Sequence, residues 1–476
     1  MMTPDFAPWA GLFARPWQRC RRSLAGLHQL ESLFGPWIAH GLLSQQDEGD
    51  HSRNRRWNWR LVFWTFLWQV AQAGASCREA IRQAQALCLA SGQPCPPSTT
   101  SPYCQARGVL PLDRLDQIHR AVVQESEQAL GSGSLWCGRR VLVADGPTVT
   151  APDTPENQQA YPQPSAQRPG CGFPIIRLAG LLNLATGLLV AWAAGHGRQS
   201  ELGLLAARWE HWQPGDVLLA DCGFCNWPLL ARCGQSGIET VFRVKGSRRG
   251  DFRRGHKLGP DERLVRWDKP LQRPQTVSPA DWAQLPECLT LRLVRCRMSL
   301  PGFRTRQILL VTTLLDRQEF PPRELGRLYY RRWTMELSLR HLKTTLQMEL
   351  LSCKTPSNLA REIRLHFLAH NLVRRLMLEA ARRHLVCLDR ISFAGSLCAA
   401  RRYGEALLQA RAEACRRLLR EELYRVLASD AVPERPGRRE PRAVKRRPKP
   451  YPRLMGPRHG WLEIPHQSRY RKNSKP

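Results

Sequence analysis

The sequence predicts an α/β protein with helical segments before and after the sheet, and three observations carry that expectation. Two short apolar runs, residues 141–144 and 217–220, each end on an aspartate, the pattern of a buried strand that delivers a side chain to a sheet edge. Residues 175–184 and 188–194 are strand-like and flank Thr186-Gly187, which reads as a hairpin. Leu365, Leu368, Leu372 and Leu376, by contrast, recur at helical spacing.

Taken in order, residues 1–50 mix Trp, Pro and Arg without a sustained period. From Arg55 the pattern is helical. Trp57, Trp59, Trp64 and Trp68 crowd the first helix, where they suit a core better than a base-stacking platform. Ser76 is placed to cap a second helix over residues 77–90, and a third runs over 112–130. These make a small all-α domain ahead of the sheet. Gly131-Ser132-Gly133-Ser134 breaks it. Then come a strand ending at Asp145, the hairpin, a helix opened by Ser200 and running through Trp212, a strand ending at Asp221, a helix over 227–233 and a strand over 240–244. Strand, hairpin, helix, strand, helix, strand is the order of a ribonuclease-H-like α/β sheet. In open α/β sheets, sites gather at the carboxyl ends of strands, where Asp145 and Asp221 both stand.

Residues 246–310 leave this pattern. Lys245-Gly246-Ser247-Arg248-Arg249, with Arg253, Arg254 and Lys257, is a basic loop. Leu289, Leu291 and Leu293 alternate with Thr290 and Arg292 as a half-buried strand, and 308–315 is a longer apolar strand returning to the main sheet. The stretch reads as a β-rich insertion. Helices continue to about residue 427, and the tail from 431 holds 14 Lys and Arg against 3 Glu, too polar to fold alone. The expected organisation is a variable segment (1–50), a helical DNA-binding domain (51–135), the first part of a catalytic core (136–245), the insertion (246–310), the second part of the core (311–385), C-terminal helices (386–430) and a flexible basic tail (431–476).

Composition points to a polyanionic partner. The 476 residues carry 72 Lys and Arg against 40 Asp and Glu, a net charge of +32, and nucleic acid is the first candidate. The 16 cysteines have no regular spacing, as expected of reduced thiols in a cytosolic protein. Cys222-x2-Cys225 lacks the second pair that a zinc site needs. The most apolar run, 61–70, falls short of the about 20 residues that span a bilayer, so no membrane is expected.

The most informative stretch is residues 328–348, a helix without Gly or Pro. At about 100° per residue, Tyr329, Arg332, Glu336 and Lys343 fall within roughly 60° of arc. Leu328, Met335, Leu339, Leu342 and Leu346 form an apolar stripe beside them. A carboxylate aligned with cations can hold a metal ion while the cations hold phosphate oxygens.

The spacing Tyr329-x2-Arg332-x3-Glu336-x6-Lys343 resembles the Y-R-E-K signature of bacterial insertion-sequence transposases of the DDE type. Asp145-Gly146 stands where that family has its D-G-T. Asp153-Thr154-Pro155-Glu156-Asn157, Asp221-x-Gly223-Phe224 and Leu310-Val311-Thr312-Thr313 also look like family segments, so the resemblance covers residues from about 55 to 455. It implies that Asp145, Asp221 and Glu336 hold two Mg²⁺ ions, with Mn²⁺ able to substitute. Such a pair, roughly 3.5–4 Å apart, activates a nucleophile and stabilises the leaving oxygen. It implies that Arg332 and Lys343 hold phosphates near the scissile end with Tyr329 beside them. It implies binding of double-stranded DNA at terminal inverted repeats, nicking there, a hairpin intermediate in some members, strand transfer into a target, a homodimer in the synaptic complex and a place at the bacterial nucleoid in the cytoplasm.

Two departures stand out: Pro147 intervenes between Gly146 and Thr148, and no Trp precedes Glu336 at the spacing of the residue that stacks a flipped base in relatives. Trp267 and Trp282 read as local packing. A catalytically inactive DNA-binding transposase remnant or inhibitor, and a metal-dependent nuclease that never joins DNA, stay open.

Overall fold

The computed structural model describes residues 29–38, 40–43, 56–206, 208–245, 252–253, 255–297, 307–433, 455–457 and 460. Most of the basic loop, of the tail and of residues 1–50 lies outside them. Helix α1 (Gln29–Phe34) precedes α2 (Trp59–Ala71), α3 (Cys77–Ser91), α4 (Thr100–Gly108) and α5 (Leu112–Gln128). Asn58 caps α2 by accepting from Leu61 N, and Ser76 with Glu79 forms a capping box on α3. All four tryptophans of this region are buried.

Strands β1 (Val141–Asp145), β2 (Thr148–Thr150), β3 (Ile175–Asn183), β4 (Leu189–His196), β5 (Val217–Ala220) and β6 (Glu239–Arg243) follow, with α6 (Pro155–Ala160) after β2, α7 (Glu201–Ala206) after β4 and α8 (Trp227–Gln235) after β5. The helix expected through Trp212 is shorter than its sequence pattern: α7 ends at Ala206, and Trp209–His211 is a separate 3₁₀ turn. β1, β5 and β6 are parallel neighbours, and β3 runs antiparallel to β1 and to β4. β1 and β2 lie end to end along one side of β3.

The strands of 246–310 continue this same sheet. β7 (His256–Gly259), β8 (Glu262–Asp268), β9 (Cys288–Arg297) and β10 (Gln307–Thr312) extend it beyond β6 as an antiparallel meander in the order β6-β10-β9-β8-β7. A short helix, α9 (Pro279–Gln284), interrupts them. Trp267 and Trp282 pack locally against Trp227, whose indole N–H donates to Trp267 O at 3.2 Å. The segment is thus one edge of a ten-stranded sheet.

After β10 come α10 (Pro322–Arg331), α11 (Trp333–Arg340), a π-helical turn (His341–Thr345), α12 (Pro356–His384), α13 (Phe393–Gln409) and α14 (Glu413–Ser429). The long α12 is the axis of the helical side: α2, α4, α5, α13 and α14 all pack on it. One hydrophobic core therefore runs from Leu30 to Leu427 and joins the helices ahead of the sheet to those behind it. Asn371 of α12 clips this layer to the sheet by accepting from Leu189 N at 2.9 Å and donating to Leu189 O at 2.8 Å, occupying the edge of β4. Among the described residues, no helix is long and apolar enough to cross a membrane.

Candidate active site

β1 ends on Asp145 because Val141 to Ala144 are buried and the chain must then turn. Gly146 makes the turn: a Cβ there would lie 2.0 Å from Leu178 O, so only glycine fits. Its N–H donates to Asp145 Oδ1 at 2.9 Å and holds the carboxylate. Pro147 costs the sheet nothing, since the bond it makes uses its carbonyl, which accepts from Leu178 N at 2.9 Å. The departure at Pro147 thus leaves the Asp145 turn intact.

Asp221 follows β5, whose Ala220 pairs in register with Ala144 of β1. The two aspartates therefore leave adjacent parallel strands at the same step, and neighbouring strands lie about 4.8 Å apart. Asp221 Oδ1 accepts from Gly223 N at 2.7 Å, fixing its rotamer. The third carboxylate arrives on α11, which packs against β1.

Arg332, at the junction of α10 and α11, joins two of the three. Its Nη1 stands 3.4 Å from Asp145 Oδ2, and its Nη2 donates to Glu336 Oε1. Its guanidinium lies 5.8 Å from the centre of the Tyr329 ring, which is buried. Burial pushes the Asp145 carboxyl up; the Gly146 N–H and Arg332 hold it down, and the negative charges of Asp221 and Glu336 push it up again, so that it stays above the usual carboxylate range. The Tyr329 hydroxyl is likewise raised by burial, against Arg332 and Arg243, with Asp221 adding to the rise.

Lys343 stands in the π-helical turn and pairs with Glu349 at 3.5 Å rather than with the carboxylates. Among the described residues, no three His, Cys, Asp or Glu side chains stand close enough together to hold a metal ion. The carboxylates thus act on one another electrically while Arg332 supplies the positive charge between Asp145 and Glu336.

Two residues at this edge went unmarked in the sequence. Glu201, the first residue of α7, has its carboxyl raised by burial and by the charges of Asp145 and Asp221, against the Arg177 guanidinium paired with it at 3.1 Å. Arg243, at the end of β6, acts on Tyr329. An acid in a first helical turn and a basic strand end are both routine, so no spacing signal singles them out. A cavity of about 610 Å³ adjoins the edge, lined by Ala144 and Gly223 with Trp209, Trp212, Arg232 and Lys245 among others.

Comparison with known proteins adds three findings. The sequence pattern described as the Transposase DDE domain matches residues 136–372. The transposase InsG for insertion sequence element IS4 of Escherichia coli strain K12 is 30% identical over 325 residues, which cover 67% of this chain and 70% of that protein. A cryo-EM structure of the piggyBac transposase synaptic complex with hairpin DNA is similar at a TM-score of 0.40 and 11% identity, covering 86% of this chain and 87% of that one.

Proposed function

We propose a reaction scheme from one premise: the chain belongs to the IS4-type DDE transposases, enzymes that cut DNA and transfer its strands. In this scheme it binds the terminal inverted repeats of its own element as a homodimer, nicks there and joins the freed 3′-hydroxyl to target DNA. Asp145, Asp221 and Glu336 are the catalytic carboxylates, set on a ribonuclease-H-like core formed by β1 to β6. The observation that carries the reading is Arg332, which reaches Asp145 at the end of a strand and Glu336 on a distant helix at once, while register puts Asp221 beside Asp145.

The donor atoms suit a hard divalent ion, which would have to draw the three carboxylates closer together than they stand here. All three groups offer oxygen, and the Asp145 carboxyl is held up by burial first and then by the charges of Asp221 and Glu336. Bound Mg²⁺ ions supply charge neutralisation for the attacking and leaving oxygens of a phosphoryl transfer. The chain's own residues do the rest. Gly146 N–H and Gly223 N–H orient the two aspartates. Arg332 neutralises carboxylate charge before DNA arrives and then turns its fork to a phosphate of the scissile end, with Tyr329 packed behind it. Lys343, half-buried at the helix end, contacts the strand further along.

The test uses supercoiled plasmid carrying the cognate ends, with Mg²⁺. Asp145→Ala, Asp221→Ala and Glu336→Ala should each abolish nicking while gel shifts with end DNA persist. Nicking that survives Asp221→Ala removes that residue from the site. Joined product separates a transposase from a nuclease, and a shift without nicking by the unaltered chain marks an inactive binder.

A further inference from the structure

The helices ahead of the sheet hold a pair of thiols that the reaction does not use. Cys77, the first residue of α3, and Cys104, on α4, bring their sulfurs to 3.9 Å, and both residues are half-buried. The two helices pack together, so the sulfurs meet across an interface between elements. Polar hydrogens converge on the pair from either side. Gln69 Nε2, on α2, donates to Cys77 Sγ at 3.7 Å, and Arg107 Nη2 donates to Cys104 Sγ at 3.7 Å.

Arg107 is itself buried, at 5% exposure, and its Nε has no hydrogen-bond partner. Its guanidinium lies over the rings of Phe66 and Tyr103, at 4.5 Å and 5.0 Å from their centres. The ionisable groups that act on it most are the Cys353 thiol, the Tyr103 phenol and the thiols of Cys77 and Cys104. A buried cation among thiols favours whichever sulfur carries negative charge, as attacking or as leaving group. Burial raises the Cys104 thiol, against the pull of Arg107. Cys77 stands between two exposed residues, Ser76 and Arg78. Cys77 is thus the sulfur that an oxidant arriving from solvent meets first, and Cys104 the one that resolves it.

We propose that Cys77 and Cys104 form an oxidation site for hydrogen peroxide, closing to a disulfide within one chain. A sulfur–oxygen bond forms at Cys77 as the peroxide O–O bond breaks, which leaves a sulfenic acid and releases water. The Cys104 sulfur then attacks the Cys77 sulfur, and its proton leaves with the displaced hydroxide as a second water. Two electrons pass from the thiols to the peroxide. The sulfurs close from 3.9 Å to a bond of about 2 Å. That bond ties α3 to α4, and α4 packs on α12, so oxidation fastens the outer helix of the layer to its axis.

The experiment treats the reduced full-length chain with hydrogen peroxide, quenches it with an alkylating reagent and digests it with trypsin. Fragment spectra should join the Cys77 peptide to the one carrying Cys104. The link should fall at Cys104 and not at Cys88 or Cys95, which no Lys or Arg separates from it. Non-reducing gels should keep the product at the mass of one chain. The oxidised chain should show a higher urea midpoint than the reduced one, reversed by dithiothreitol. Cys77→Ser and Cys104→Ser should each lose the link and the rise, whereas replacing an exposed thiol, Cys137→Ser, should keep both. A link from Cys77 to any other cysteine, both sulfurs still open to alkylation once Cys137 is oxidised, or equal midpoints overturn the proposal. Should a serine variant fail to fold, the peptide map of the unaltered chain decides alone.

Discussion

The ion pair between Glu262 and Arg292 tests whether residues 246–310 are a detachable module or part of the catalytic sheet. Arg292, on β9, and Glu262, at the start of β8, have side chains only 0% and 2% exposed. Arg292 Nε donates to Glu262 Oε2 at 3.0 Å, and Nη2 reaches the same oxygen. Nη1 donates to the carbonyls of Phe320 at 2.9 Å and Asp316 at 3.1 Å, in the segment that feeds α10. Glu262→Ala leaves that guanidinium buried with carbonyls but no counter-charge. Orphaning one member of a buried pair costs about 3–5 kcal/mol, a large part of a stability of about 5–15 kcal/mol. The outer partner, Arg317, is 51% exposed and 2.8 Å from Glu262 Oε1, so Arg317→Ala should cost under about 1 kcal/mol. Urea unfolding monitored by tryptophan fluorescence measures both. A double replacement with apolar residues, Glu262→Met with Arg292→Met, should recover much of the loss, because it leaves no charge behind. A loss below about 1 kcal/mol for Glu262→Ala would refute the reasoning and return the meander to the status of an appended module.

Other outcomes follow from the same geometry. Gly146→Ala should abolish cleavage and lower the urea midpoint, since its Cβ meets backbone at 2.0 Å; an unchanged midpoint would mean that the turn behind Asp145 can open. Burial, chiefly, lowers His119 and His366 to about 4, so the unfolded chain binds more protons than the folded one between that value and 6.5. Stability should be full above 6.5 and fall as pH drops toward 4, by roughly 3 kcal/mol for each ring, readable as a urea midpoint at pH 5 well below that at pH 7. Arg332→Lys should lose most end cleavage, because a point charge cannot fork between Asp145 and Glu336; wild-type nicking by this variant would show that charge alone suffices. Removing 431–476 should flatten the salt dependence of DNA binding, as fewer phosphates are neutralised, and an unaltered slope would make the tail a spacer.

What the sequence disclosed, and what it did not, follows the range of the interactions involved. Asp145 and Asp221 were legible because a buried strand announces itself by a continuous apolar run, and the residue that ends it must point to an edge. The stripe Leu328, Met335, Leu339, Leu342 and Leu346 is buried or nearly so, as its period implied. Lys343 shows the limit of that arithmetic. The turn from His341 to Thr345 is π-helical, which lowers the rotation per residue and carries Lys343 away from the arc of Glu336 toward Glu349. The alternation in 289–293 revealed a strand but not its partner. Strand pairing is decided by residues far apart in the chain, so the continuation of the sheet from β6 through β10 had no local signature. Glu201 and Arg243 stayed hidden for the same reason: each is ordinary where it stands and becomes notable only through neighbours supplied by other strands.

That Arg332 is an arginine at this place follows from charge balance at the sheet edge. Asp145, Asp221 and Glu336 converge from two strands and a helix, and Glu201 adds a fourth negative charge from another side. Folding such a set without a cation would leave each carboxylate to be neutralised by a proton. Gly146 and Gly223 can each give one backbone N–H to an aspartate, but an amide carries no net charge. The balancing charge must come from a group that reaches two carboxylates on different elements and, in the proposed scheme, can be withdrawn when DNA and metal bring their own charges. A rigid fork on the first residue after α10, set against the buried Tyr329 ring, meets both demands: it holds α11 to β1 in the resting fold, and because Arg332 is only half-buried it can turn outward without unpacking the core. In the proposed scheme, the residue that balances the carboxylates at rest is also the one that receives the scissile phosphate.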